Sequence, residues 1–215
     1  MTAPGTDTAL AGTAFSVIAD AVASETATPG GGAVAGLTAT LAAGLVAMVA
    51  RYSSAVGDFD PDAVAARADE LRRDAQQLAD DDVSAYQAYL DATKLPRDPD
   101  PVARTAAIRA ALDAAADVPL ALAMVAAEVA ELGELVAKDG NTRLRPDGVT
   151  AVQLGSAVAT SAAALVGENL RARRDDPRPA RAAEHAATAR AAAARVARLP
   201  QATAAEPTPL PHAHP

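Results

Sequence analysis

The chain has 215 residues, a formal net charge of −8 and no cysteine. That is the length of a single domain, and it excludes disulfides, thiolate nucleophiles and Cys-bearing zinc sites. Half of the residues are hydrophobic but only 2% are aromatic, and lysine occurs only as Lys94 and Lys138, which predicts an all-α protein packed through small side chains and argues against nucleic acid as the main partner.

Residues 1–8 are rich in Thr, Pro and Gly and read as a flexible N-terminus. A helical domain is expected from 9 to 199, in five to six helices. The first helix is expected from about Thr8 to Val22, with Leu10, Phe15, Ile18 and Val22 on one side. Then comes Thr28-Pro29-Gly30-Gly31-Gly32, followed by the apolar run Ala33 to Ala50. Proline and three glycines suit a loop rather than a helix interior, whereas the Ala- and Leu-rich run is a helix former. The chain therefore feeds a glycine loop into the N-terminus of a buried central helix, whose free N–H groups suit an anion or a polar ligand. A plain turn before a core helix fits the same residues. Gly32, Gly36, Thr40 and Gly44 recur at spacing four, a ridge of small residues that lets another helix approach. Leu37, Leu41, Leu45 and Met48 lie opposite, so the helix reads as apolar all round and buried. The run reaches membrane-spanning length, but it is mostly Ala, Gly and Thr. No membrane association is expected, and with no Lys or Arg in the first twenty residues the protein reads as cytoplasmic.

A third helix is expected from about Pro61 to Thr93. Val64, Leu71, Leu78 and Ala85 follow a heptad, with Ala68, Ala75, Asp82 and Tyr89 beside them. Asp82 is the anomaly, a carboxyl on an apolar stripe, while Asp80 and Asp81 should turn to solvent. Burial would raise its pKa toward the range of a general acid or base. A frayed acidic surface segment is the alternative. A fourth helix should run from about Val102 to Lys138, bent near Pro119, with Ile108, Leu112, Leu120, Leu122, Val125, Val129, Leu132 and Val136 as core. Gly140 is placed to cap it. A fifth helix begins near Pro146-Asp147-Gly148 and runs to Arg173. The arginine-rich stretch Arg171 to Arg198 reads as a solvated helix packed by its alanines in preference to a nucleic-acid-binding arm. Residues 200–215 read as a disordered Pro-rich tail. His212 and His214 fall in that tail, which leaves His185 alone and argues against a histidine metal site.

Two blocks together carry a resemblance. Ser24…Thr28-Pro29-Gly30-Gly31-Gly32-Ala33-Val34-Ala35, running into a helix that ends Val46-Ala47-Met48-Val49-Ala50, is similar to the opening of the cyclodeaminase/cyclohydrolase family. Asp82-Val83-Ser84-Ala85-Tyr86, then Lys94-Leu95-Pro96, resembles its acidic helix segment. The likeness extends from about residue 12 to residue 173. It implies an all-helical homodimer with a folate site at the subunit interface and a tetrahydrofolate derivative as substrate, with no metal required. It also implies that Gly30, Gly31 and Gly32 line the site and that Asp82 is its acid/base residue, with Lys94, Asn141 and Asp147 as further substrate contacts. Two departures stand out. The family's Ser-Asp pair after the Gly-Asn stop is reduced here to Asp147, and of two late asparagines only Asn169 is present, Leu165 taking the place of the earlier one. A methenyltetrahydrofolate cyclohydrolase is preferred to a formimidoyltetrahydrofolate cyclodeaminase because the chain shows no formiminotransferase domain. A non-catalytic helical dimer with a small-molecule or scaffold role is the alternative.

Overall fold

The apolar periodicity resolves into six α-helices in the computed structural model, which describes residues 9–98 and 100–199. They are α1 (Phe15–Val22), α2 (Gly31–Arg51), α3 (Pro61–Lys94), α4 (Pro101–Asp139), α5 (Arg145–Asn169) and α6 (Arg178–Val196), with 3-10 turns at Leu10–Gly12 and Thr142–Leu144. The protein is all-α: among the described residues the only β-type pairing is an isolated bridge from Val56 to Phe59. The expected flexible terminus 1–8 and Pro-rich tail 200–215 lie outside the described residues.

Two helix starts follow directly from Asp-Pro pairs. Asp60 accepts hydrogen bonds from the N–H groups of Asp62 and Ala63 at 3.0 and 3.1 Å, and Pro61 supplies the first helical position. Asp100 and Pro101 do the same for α4, with Ala103 N–H donating at 2.9 Å. Each pair satisfies orphan donors and presets φ, so the boundary is sharp.

The core lies among α2, α3, α4 and α5, with α6 across α4 and α5. Alanines with no exposed surface, such as Ala39, Ala43, Ala68, Ala75, Ala126 and Ala159, fill it. Such a core works by close approach rather than bulk. A Cβ on Gly36 would stand 2.8 Å from the Cβ of Ala79, and one on Gly155 would stand 2.9 Å from the carbonyl oxygen of Ala126. α6 buries Ala182, Ala186, Ala189, Ala192 and Val196 along one seam, and Arg195 pairs with Glu134 through two bonds of 2.6 Å.

Several expectations change. The first helix is not continuous: a 3-10 turn ends at Gly12 and α1 starts at Phe15. Asp80 does not turn to solvent; it accepts the Leu10 N–H at 2.7 Å, which ties the N-terminal turn to α3. α4 is the single long helix expected, continuous through Pro119. Gly140 caps α4 as expected, in an extended conformation, and a Cβ there would stand 2.5 Å from the Val136 carbonyl oxygen. α5 stops at Asn169, short of Arg173. Ile108 and Leu112 are only half-buried. Between Asp80 and Ala115, Ala92 is the one described residue that is buried, so the end of α3 and the start of α4 form a hairpin standing clear of the core.

α2 is likewise not buried all round. Leu41 is 65% exposed, Tyr52 at its C-cap is 69% exposed and Val34 is exposed too, while Thr38, Leu45 and Met48 between them are half-buried, which leaves a partly open stripe along the helix. By length and hydropathy α2 and the Thr142–Asn169 stretch are both apolar enough to cross a membrane, with 56% and 44% of their most apolar windows inside the bundle.

Candidate active site

α2 begins without a side-chain cap, because its N-cap residue is Gly30. The first-turn N–H groups therefore need partners from elsewhere. One comes from α3. Asp82 directs its carboxylate onto this helix end, where the Ala33 N–H hydrogen-bonds it. The carboxylate occupies the space a side chain at position 32 would need: a Cβ on Gly32 would lie 1.9 Å from Oδ1 and 2.3 Å from Cγ of Asp82. No residue larger than glycine fits at 32 while Asp82 keeps this position. Around the pair, Leu10, Ile18, Ala33 and Ala79 form a small apolar cluster, with Leu37 and Val83 packed on it.

Two influences act on the carboxyl. Burial against these apolar neighbours pushes its pKa above the usual carboxylate value, and the Ala33 N–H pulls it back. Burial dominates, so Asp82 holds a proton to higher pH than a free aspartate.

Asp82 faces a cavity of about 210 Å³ with three walls. Ala27, Thr28, Gly30, Gly31 and Gly32 form the loop wall, and Asp82, Ala85 and Tyr86 form the α3 wall. Ala115 of α4 with Leu165 and Asn169 of α5 closes the far side. The Thr26 hydroxyl donates to the Thr28 carbonyl at 3.0 Å and steadies the loop. Complete ligand pockets typically measure roughly 300–1,000 Å³, so this cavity is smaller than most. Among the described residues no three His, Asp or Glu side chains gather to hold a metal ion.

The structure thus brings Gly30, Gly31, Gly32 and Asp82 together and leaves Lys94, Asn141 and Asp147 outside this pocket. Lys94 lies twelve residues beyond Asp82, about 18 Å along a helix, and pairs with Asp91 at 3.0 Å. Asn141 lies by the opposite end of α2, roughly 30 Å from Gly31 along the helix. There its Nδ2 donates to the Tyr52 carbonyl at 2.9 Å and its backbone N–H to Ser53 Oγ at 2.8 Å. Asp147 stands in the first turn of α5, beside Gly148, whose Cα packs on Ala137 of α4. Ala115 is a pocket residue that sequence reasoning missed, whereas Thr28 belongs to the loop singled out above and Leu165 and Asn169 are the two late positions of the fifth helix that the resemblance marked. A signal did exist for Ala115: a proline inside a helix leaves open the carbonyl four residues before it, and Pro119 marks Ala115 in this way.

A helical bundle with a carboxyl docked on a glycine-opened helix end defines the class. Residues 15–191 match the Formiminotransferase-cyclodeaminase family, and the chain belongs to it. It is 37% identical over 151 residues to a methenyltetrahydrofolate cyclohydrolase of Methylorubrum extorquens, covering 67% of this chain and 73% of that one. It is also 37% identical over 133 residues to the formimidoyltransferase-cyclodeaminase of Sus scrofa, covering 59% of this chain but only 25% of that longer protein. The fold matches the crystal structure of formiminotetrahydrofolate cyclodeaminase from Thermotoga maritima with a TM-score of 0.76 and 25% identity, over 86% of this chain and 94% of that one.

Proposed function

We propose that the protein is a folate one-carbon enzyme, a methenyltetrahydrofolate cyclohydrolase, with Asp82 as general acid/base. The observation that carries this reading is the Asp82 carboxyl itself, seated on the α2 N-terminus and opening into the cavity with its pKa raised. The cyclohydrolase from Methylorubrum extorquens favours the same activity. The Asp82 carboxylate takes a proton from water as the oxygen adds to the methenyl carbon. The carboxyl then returns that proton to N5 as the C–N5 bond breaks, while the added oxygen becomes the formyl carbonyl and releases its remaining proton to solvent, giving N10-formyltetrahydrofolate. A single group serves as base and then as acid, and the step as written needs no metal. The unpaired N–H groups of the loop and first turn suit a carboxylate or a polar ring edge of the substrate.

The cavity in one chain is small, and Asn141 and Asp147 lie at the far end of α2. A homodimer answers both points. Its seam, on this reading, is the exposed stripe of α2, with two copies paired antiparallel about the stretch from Leu41 to Leu45. That pairing sets the Asp82 end of one copy beside the Asn141 end of the other and makes the folate site an interface site.

The test is the absorbance of 5,10-methenyltetrahydrofolate mixed with purified protein. Decay faster than the uncatalysed hydrolysis, reduced about 10²–10⁴-fold in Asp82→Asn, is the expected result. The likeness to the Thermotoga maritima enzyme favours cyclodeaminase activity as the second reading, and it predicts the same band rising from formiminotetrahydrofolate. A folded protein inert in both assays would be a binding module that has lost the chemistry.

A further inference from the structure

We infer that Asn169 is a substrate-binding residue, with its side-chain oxygen held toward the pocket by a backbone carbonyl that Pro119 leaves open. The inference rests on the reading of this cavity as a folate site and adds to it a specific hydrogen-bond acceptor. In an α-helix the carbonyl of residue 115 is bonded by the N–H of residue 119. Here residue 119 is proline, buried inside α4, and has no N–H to give. Ala115, whose carbonyl is thereby freed, lines the pocket.

Asn169 fills the vacancy. Its Nδ2 donates to the Ala115 oxygen at 2.6 Å. A carbonyl only accepts, so the amide must present nitrogen to it, and this fixes which way the side chain is turned. Its Oδ1 therefore points elsewhere. Among the described residues no buried side-chain oxygen lacks a partner, and no described donor is paired with this one, so it is an accessible acceptor on a residue that lines the cavity.

The surroundings hold this arrangement still. Val166 and Leu170, either side of Asn169, pack on Ala116 and Leu120 of α4. Asp113 accepts from Arg173 and, at 2.5 Å, from Arg178, which braces the same stretch of α4 against the chain after α5. The cavity thus has a carboxyl and free N–H groups on one side and a fixed acceptor on the other. The chemistry that matches Asn169 is an N–H donor on the ligand, such as the ring amide or ring amino group of a pterin.

Kinetics of 5,10-methenyltetrahydrofolate hydrolysis in Asn169→Ala and Pro119→Ala test this. Asn169→Ala should raise KM about tenfold, the effect of one unmatched hydrogen bond, with kcat little changed. Pro119→Ala alters no pocket-lining side chain and restores an N–H aimed at the Ala115 carbonyl. It releases Nδ2 and should raise KM about three- to tenfold in a helix that is intrinsically better formed. An unaltered KM in Asn169→Ala, with an active wild type, would overturn the binding role, and an unaltered KM in Pro119→Ala would overturn the lock. Nitrogen-15 NMR of the Asn169 side-chain amide reads the lock without turnover. Slower hydrogen exchange in the wild type than in Pro119→Ala supports it, and equal rates overturn it. A wild type inert on both folates defeats the assignment of function, and the lock is still decided by the exchange rates.

Discussion

At Asp82 two local forces oppose each other, and their balance has a measurable sign. Its folded pKa lies above the unfolded value because burial outweighs the Ala33 hydrogen bond. The folded chain therefore binds more protons than the unfolded chain between those two values, and this carboxyl's contribution to stability falls as pH rises through that window. Asp82→Asn removes the penalty while keeping an oxygen for the Ala33 N–H. Its melting temperature relative to wild type should climb with pH above the ordinary carboxylate range and level off once Asp82 is ionised. Calorimetry across pH checks this, and a wild-type advantage that grows with pH would contradict it. The acid limb of kcat/KM should also sit above the ordinary carboxylate pKa. The anomaly was legible in the sequence because a lone Asp on an apolar heptad stripe breaks a local pattern. Its seat on Gly32 was not, since nothing in either segment's periodicity says which helix end the carboxyl will meet. The link from Pro119 through Ala115 to Asn169 joins positions 54 residues apart and depends wholly on how α4 and α5 cross.

At the scale of elements, α2 shows that one motif can hold positions of opposite energetic sign. The ridge of small residues was readable from spacing, and α3 is the helix that approaches it. The approach is not even along its length. A Cβ on Gly36 would stand 2.9 Å from the Ala79 Cα and 3.0 Å from the Ala75 carbonyl oxygen, both backbone atoms that cannot step aside. At Gly44 the nearest atom is the Cδ of Arg72, 3.9 Å away on a flexible side chain. Gly36→Ala gains about 1 kcal/mol of helix propensity but overpacks the interface at a cost of about 1–3 kcal/mol, so it should lower stability. Gly44→Ala meets no obstacle and should raise stability by about 0.5–1 kcal/mol. Urea titration of both variants separates them, and equal effects would refute the unevenness. Helix existence was legible throughout because a 3.6-residue period is local information, and α3 ends within one residue of its expected limit. Exposure of one face of α2 was not, because an apolar stripe reads the same whether its partner belongs to the same chain or to another copy.

At the scale of the whole molecule, that stripe and the split placement of Asp82 and Asn141 make one prediction. The wild type should sediment at twice the chain mass of 21.5 kDa. Leu41→Arg, which places a charge at the middle of the stripe, should sediment as a folded single chain with strongly reduced turnover. A wild type that is monomeric and active would refute the shared site. The hairpin formed by the end of α3 and the start of α4 bears on the same site through its mechanics. It is fixed where it leaves the core and free at its tip, where Arg104 fastens the turn by donating to the carbonyls of Leu95 and Thr93 at 2.8 and 3.0 Å. A beam held at one end deflects most at the other and scarcely at all at its root. Asp82 and Tyr86 sit on one limb near that root and Ala115 on the other, while Lys94 and the 77% exposed Val102 ride near the tip. Any bending of the arm would therefore displace its outer residues most and the carboxyl least, so reach and precision are divided along the length of a single lever.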